Sequence, residues 1–294
     1  MSAPTDDGHP RVFYDLPEEM TDPASAAAAI LPVPYDATAS WLKGAAGGPA
    51  AILEASQYVE VWDIETASEP WRHGIATLPP LELDSDPQKL AGLVSRSVGE
   101  ILDRGQLPVV LGGEHSVTIG AALAAAEHFP GLSVLQIDAH ADTRESYHGS
   151  PFNHACVMAR VREVCPIVQV GIRSLDTAEV AGLENDRVFW AREIIRDHER
   201  AWIGEAVELL NQEVYVTIDV DGFDPSIVPA TGTPEPGGLD WYQVTDLLAA
   251  VAGRCRVVGF DVVELIPGHP PSAFTAAKLI YRFLAEIFSA RLEQ

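Results

Sequence analysis

Three short stretches of this chain each end an apolar run in residues that bind cations. Val134-Leu135-Gln136-Ile137 runs into Asp138-Ala139-His140-Ala141-Asp142, which sets Asp138, His140 and Asp142 two residues apart. Extended backbone points residues at that spacing to one face, and a turn directly after Asp138 brings them closer. Val109-Val110-Leu111 leads through Gly112-Gly113-Glu114 to His115, and Val214 to Ile218 ends in Asp219-Val220-Asp221. A solvated loop explains one such stretch. Three with the same grammar describe one site at the carboxyl ends of several strands, where open α/β sheets place their ligands.

Four carboxylates and two imidazoles are more than one divalent ion takes. Two neighbouring ions, bridged by Asp138 and Asp219, use all six and leave room for a water whose pKa they lower. Oxygen and imidazole ligation suits Mn²⁺, with Ni²⁺, Co²⁺ or Zn²⁺ compatible. Cys156, Cys165 and Cys255 are odd in number and lack a Cys-x-x-Cys spacing, which argues against a thiolate zinc site and a disulfide framework. The implied chemistry is metal-assisted hydrolysis.

The elements that must position these residues alternate. Strand-like runs at Ala29–Pro34, Val134–Ile137, Ile167–Gly171, Val214–Ile218 and Val257–Phe260 are separated by helical stretches. The helices begin at Pro49, at Asp86-Pro87, at Ser116, near Arg200, at Gly238-Leu239-Asp240 and at Ser272. Such alternation predicts a single-domain three-layer α/β/α fold with a mostly parallel sheet. Residues 1–28, rich in Pro, Asp and Ala, read as a loose N-terminal arm, and 29–294 as one catalytic domain. The loop from Tyr35 to Gly48 reads as the rim of an active site.

The net charge of −24 disfavours nucleic acid and anionic membranes as partners and mildly favours a cationic substrate. No apolar run reaches the length of about 18 residues needed to span a bilayer, and the first residues carry no basic segment followed by an apolar one. A cytoplasmic location is expected.

Four motifs, taken in order, resemble the ureohydrolases, the family of arginase and agmatinase. They are Gly-Gly-Glu-His-Ser at 112–116, Asp-Ala-His-Ala-Asp at 138–142, Asp-Val-Asp-Gly-Phe-Asp-Pro at 219–225 and Gly-Phe-Asp-Val-Val-Glu at 259–264. The resemblance implies a binuclear manganese site. His115, Asp138, Asp142 and Asp219 would hold one ion, and Asp138, His140, Asp219 and Asp221 the other. It further implies that Glu264 grips the substrate guanidinium, that Thr233 lies near it, and that His148 relays protons. Asp224 would brace the loop after the ligands, and His154 is a further candidate for the pocket wall. Homo-oligomers, trimers or hexamers, are the implied assembly.

The substrate would be a small cationic guanidino compound, cleaved to urea and a primary amine. Asp142 and His148 are separated by only Thr143-Arg144-Glu145-Ser146-Tyr147, too short a loop to reproduce the contacts arginases of this type make with free arginine. Pro32-Val33-Pro34-Tyr35-Asp36, Gln169 to Ser174 and Gly232 to Gly238 resemble the agmatinase branch, so agmatine, giving putrescine, is the leading expectation. The alanine-rich stretch Ala37 to Gly48 departs from that branch and leaves guanidinobutyrate and guanidinopropionate open, with Lys43 or Arg173 available for a carboxylate tail. A formimino substrate and an inactive metal-binding regulatory subunit are the remaining alternatives.

Overall fold

The computed structural model of the protein describes residues 12–83 and 85–292. Its strands are β1 (Ala28–Val33), β2 (Ile75–Thr77), β3 (Leu107–Gly112), β4 (Leu132–Ile137), β5 (Ile167–Ile172), β6 (Val188–Trp190), β7 (Glu213–Asp219) and β8 (Arg256–Val263). They form one sheet in the order β2-β1-β3-β8-β7-β4-β5-β6, and every pairing is parallel. The helices are α1 (Glu18–Thr21), α2 (Gly48–Ser56), α3 (Pro87–Asp103), α4 (Val117–His128), α5 (Val157–Val161), α6 (Ala191–Ile194), α7 (Ala201–Glu208), α8 (Trp241–Arg254) and α9 (Pro270–Leu292).

A parallel sheet must be covered on both faces, and side-chain alternation along each strand divides the core accordingly. Ala28 and Ile30 of β1, with Val109 of β3 and Leu135 of β4, pack with α2, α7, α8 and α9. Ala29, Leu31 and Val33, with Val110 and Val134, pack with α3, α4 and α5. The three-layer α/β/α arrangement is therefore the observed one. Helix starts follow local chemistry. Asp86 caps α3 by accepting from Gln88 N and Lys89 N, and Asp240 forms a reciprocal capping box with Gln243 at α8.

The loose arm expected over residues 1–28 is corrected where it is described; residues 1–11 lie outside the described residues. Phe13 is fully buried and Tyr14 nearly so. Phe13 N donates to Thr77 Oγ1 at 2.9 Å and Tyr14 N to Ser56 Oγ at 3.0 Å, while the Tyr14 ring lies 4.7 Å from that of Tyr281 in α9. Full burial of one such aromatic side chain stabilises by about 1.5–3 kcal/mol, enough to anchor the segment. Two edge strands, β2 and β6, were not expected, because three residues carry too little pattern to reveal a strand.

Sheet order sets the site. The chain leaves β3, crosses to β4, and later fills the gap with β7 and β8, so β3, β8, β7 and β4 lie side by side at the centre. Those four strands carry the candidate ligands and Glu264 at their carboxyl ends.

Candidate metal centre and active site

The same local device shapes two of the strand ends. Asp138 Oδ1 accepts from His140 N at 2.6 Å, and Asp219 Oδ1 accepts from Asp221 N at 2.8 Å. Each aspartate thus folds the chain back on itself just after its strand and sets the next candidate ligand beside it. Asp221 Oδ1 in turn accepts from Ala139 N at 3.0 Å, which ties the two turns together. After β3, Gly113 is required: a Cβ there would lie 2.0 Å from Tyr35 O. That close approach lets Glu114 N donate to Tyr35 O at 2.7 Å and brings His115 over the sheet end.

His115 Nδ1 lies 3.1 Å from Asp138 Oδ2, 3.1 Å from Asp142 Oδ2 and 3.5 Å from Asp219 Oδ2. His140 Nδ1 lies 2.9 Å from Asp221 Oδ2 and 3.7 Å from Asp138 Oδ1. Among the described residues, His115, Asp138 and Asp219 form one group whose ligand atoms all lie within 4.8 Å of one another, and Asp138, His140 and Asp221 form a second. Asp138 is common to both. Asp219, expected to bridge as well, falls in the group with His115 and Asp138 and not in the one with His140, and Asp142 joins through His115.

Two observations fit this cluster to cations. His115 Nδ1 is buried without a hydrogen-bond partner, although three carboxylates surround it. The carboxylates also crowd one another: burial first, then the Asp138 charge, raises Asp142 to about 6, and burial with the Asp221 and Asp138 charges holds Asp219 well above the usual carboxylate range. Burial opposes a charge on His115, but Asp138 and Asp142 outweigh it and raise its pKa well above that of free imidazole. Divalent cations would satisfy the same carboxylates with both imidazoles neutral.

Glu264, directly after β8, adopts a left-handed conformation (φ 65°), and Asp142 adopts one too (φ 52°). Such backbone costs a non-glycine residue about 1–3 kcal/mol and gathers where a site demands a particular side-chain direction. Glu264 is pinned by two bonds to the β3 turn: its N donates to Gly113 O at 2.7 Å, and its Oε1 accepts from His115 N at 2.8 Å. Burial, then the neighbouring Glu114, raises its pKa to about 8, so this carboxylate also calls for a cationic partner.

A cavity of about 250 Å³ joins these groups, lined by His115, His140, Asp142, Asp219, Asp221, Glu264 and Thr233. Trp41, Leu42, Arg144, Tyr147, His154, Asp176 and Glu179 are also in its wall. Arg144 lies 3.5 Å from Asp176 and 3.6 Å from Glu179.

The two loop histidines are placed differently, and His154, the candidate for the pocket wall, is the one found there. His148 is exposed at a left-handed turn (φ 48°), its ring against Tyr147 at 4.1 Å, and is not part of the cavity wall. His154 is in the wall. Its Nδ1 lies 3.0 Å from Thr38 Oγ1, which donates to Glu114 Oε1 at 2.5 Å. With that hydroxyl proton committed, Nδ1 carries the ring hydrogen and Nε2 is left as the acceptor. Burial, then the His115 and His140 charges, lowers the His154 pKa to about 4.

Arg173 is not available for a substrate tail. Its guanidinium donates to the backbone oxygens of Gly171, Asp221, Gly222, Phe223 and Glu235, a clamp on the loop after β7. Lys43 is exposed and absent from the wall. Asp224 Oδ2 accepts from Gly237 N and Gly238 N at 2.9 and 3.1 Å, bracing the same loop.

The arginase family model matches residues 26–287. The chain belongs to the arginase family. It is 39% identical over 291 residues to an N(1)-aminopropylagmatine ureohydrolase of Synechocystis, covering 94% of this chain and 93% of that protein. It is 35% identical over 281 residues to an agmatinase of Pyrococcus horikoshii, covering 91% and 94%. The structure of the agmatine ureohydrolase of Thermoplasma volcanium superposes with a TM-score of 0.86 at 30% identity, over 93% of this chain and 94% of that one. The protein is thus an arginase-family hydrolase of the ureohydrolase type, as its motifs implied.

Proposed function

We propose that this hydrolase cleaves a guanidino compound with a cationic tail into urea and a primary amine at a binuclear manganese centre. Agmatine, giving putrescine, is the parent substrate of this reading, and its N1-aminopropyl derivative, named for the Synechocystis relative, is the extended one. The observation that carries it is the charge of one cavity. Its wall holds the Asp and His cluster and Glu264, together with Asp176 and Glu179 against the single cation Arg144. A substrate positive at both ends fits that wall, whereas the carboxylate of arginine or guanidinobutyrate meets an excess of like charge.

Residues His115, Asp138, Asp142 and Asp219 would hold one ion and Asp138, His140, Asp219 and Asp221 the other. When bound, the ions supply Lewis acidity and a water of lowered pKa. The Glu264 carboxylate then accepts the planar guanidinium, with Oε2 and the remaining lone pair of Oε1 facing its N–H groups. The Thr233 hydroxyl offers a further acceptor. His154 Nε2, neutral at pH 7, is free to accept a proton and hand it to the leaving amine nitrogen; His148 lacks a wall position for this work.

Among the described residues no helix is long and apolar enough to cross a membrane. A cytoplasmic homo-oligomer acting on a small molecule, without nucleic acid or membrane, completes the proposal. The test is urea release by the Mn²⁺-loaded protein offered agmatine, N1-aminopropylagmatine, arginine, guanidinobutyrate and guanidinopropionate in turn. Urea from the two amines alone supports the reading. Urea from only the carboxylate-bearing compounds overturns the tail assignment, and no urea from any of the five, with formamide released when an N-formimino amino acid is offered instead, points to a formimino substrate.

A further inference from the structure

Beneath the cluster lies a fully buried polar chain, Thr217, Asp261, Thr118 and Tyr215, that is not among the described residues of the cavity wall. In the β7–β8 register Thr217 stands opposite Asp261. Asp261 is fully buried and accepts from Thr217 Oγ1 at 2.6 Å, Thr118 Oγ1 at 2.9 Å and the Tyr215 hydroxyl at 2.9 Å. A carboxylate held there without donors would be strongly unfavourable, and three hydroxyls offset that cost. The consequence falls on Thr217. Its proton is committed to Asp261, so it offers only lone pairs to His115 Nε2, 2.8 Å away. Nε2 must therefore carry the ring hydrogen, which leaves Nδ1 aimed at Asp138, Asp142 and Asp219.

We infer that Thr217 and Asp261 are positioning residues for the ion held at His115: they orient the imidazole and keep its hydrogen on the nitrogen away from the carboxylates. The inference rests on the metal-centre reading above. Anchoring the far nitrogen of a ligating histidine fixes its tautomer and ring plane before the ion arrives, which is where affinity is gained. The effect belongs to one ion, because the Thr217 hydroxyl meets His115 Nε2, whereas His140 turns its Nδ1 to Asp221 and Asp138.

The test is calorimetric titration of metal-free protein with MnCl₂, run on wild type, Thr217→Val, Thr217→Ala and Thr217→Ser, with the thermal midpoint of each metal-free protein measured alongside. Removing such an anchor typically weakens binding about 10- to 100-fold, and that loss is expected at one of two sites in the valine and alanine variants. The serine variant, which keeps the hydroxyl, restores it. Loss of affinity that follows the hydroxyl while the metal-free midpoints do not is the signature of positioning. Wild-type affinity at both sites in the valine and alanine variants, or equal weakening of both sites, overturns the inference alone. Wild type that takes up no Mn²⁺ overturns the metal-centre reading with it.

Discussion

Glu264→Gln separates substrate binding from everything else the centre does. The amide oxygen can keep the bond from His115 N, now 2.8 Å from Oε1, so the turn after β3 and the left-handed backbone at residue 264 have no cause to move. What changes is the atom facing the cavity: an anionic acceptor becomes an N–H₂ donor, directed at a guanidinium that can only donate. Removing one partner of a buried, hydrogen-bonded charge pair costs about 2–5 kcal/mol. At about 1.4 kcal/mol per tenfold, kcat/KM falls roughly 30- to 4,000-fold. Residue 264 is outside the proposed ligand set, so Mn²⁺ uptake by calorimetry should match wild type. Steady-state urea release against substrate concentration reads the first quantity. Undiminished kcat/KM would refute the reasoning, because the Glu264 carboxylate, pinned to the β3 turn, would then have no hold on the substrate.

Three further outcomes are expected. Asp138→Asn and His140→Ala abolish both metal uptake and turnover, Asp138 because both ligand groups share it; full activity in either would sink the binuclear reading. His154→Asn lowers kcat by about 10²- to 10⁴-fold, the usual worth of a positioned proton carrier, with rescue by added imidazole, while His148→Asn leaves kcat near wild type; the reverse pattern would return the relay to His148. In the metal-free protein, the lowered pKa of His154, about 4, means that the unfolded chain binds its proton first as pH falls. Its contribution to stability is whole above pH ~6.5 and is lost as pH drops towards 4, so denaturant titrations of His154→Asn should show a shallower loss over that window than wild type.

Much of the candidate site was legible because its candidate ligands sit at fixed, short spacings directly after apolar strands. In Asp138-x-His140 and Asp219-x-Asp221 the local turn is made by the first aspartate itself, so composition and conformation are one signal. The central strands and capped helices were legible for the same reason: each carries its own pattern of alternation or capping, as Asp86 and Asp240 do. Where a residue's role depends on a partner far along the chain, the pattern is silent. His148 and His154 lie six residues apart in one loop, and nothing in their neighbours says which ring faces the cavity. The left-handed turn at His148 and the docking of His154 on Thr38, itself bound to Glu114 76 residues away, decide it.

The same division separates the remaining differences. Phe13 and Tyr14 look like part of a polar arm until Thr77, Ser56 and Tyr281 supply their partners. Arg173 reads as a free cation until five backbone oxygens close around it. Asp261 reads as one more acid in a motif until the β7–β8 register sets it against Thr217 and His115. The sequence by itself determined which groups could bind metal and which strands would deliver them, because those signals are periodic and local. Which histidine lies in the cavity wall, which cation is already satisfied and which buried acid is linked through Thr217 to His115 were decided only by the tertiary structure, because hydrogen-bond partners and burial are properties of residues brought together from distant parts of the chain.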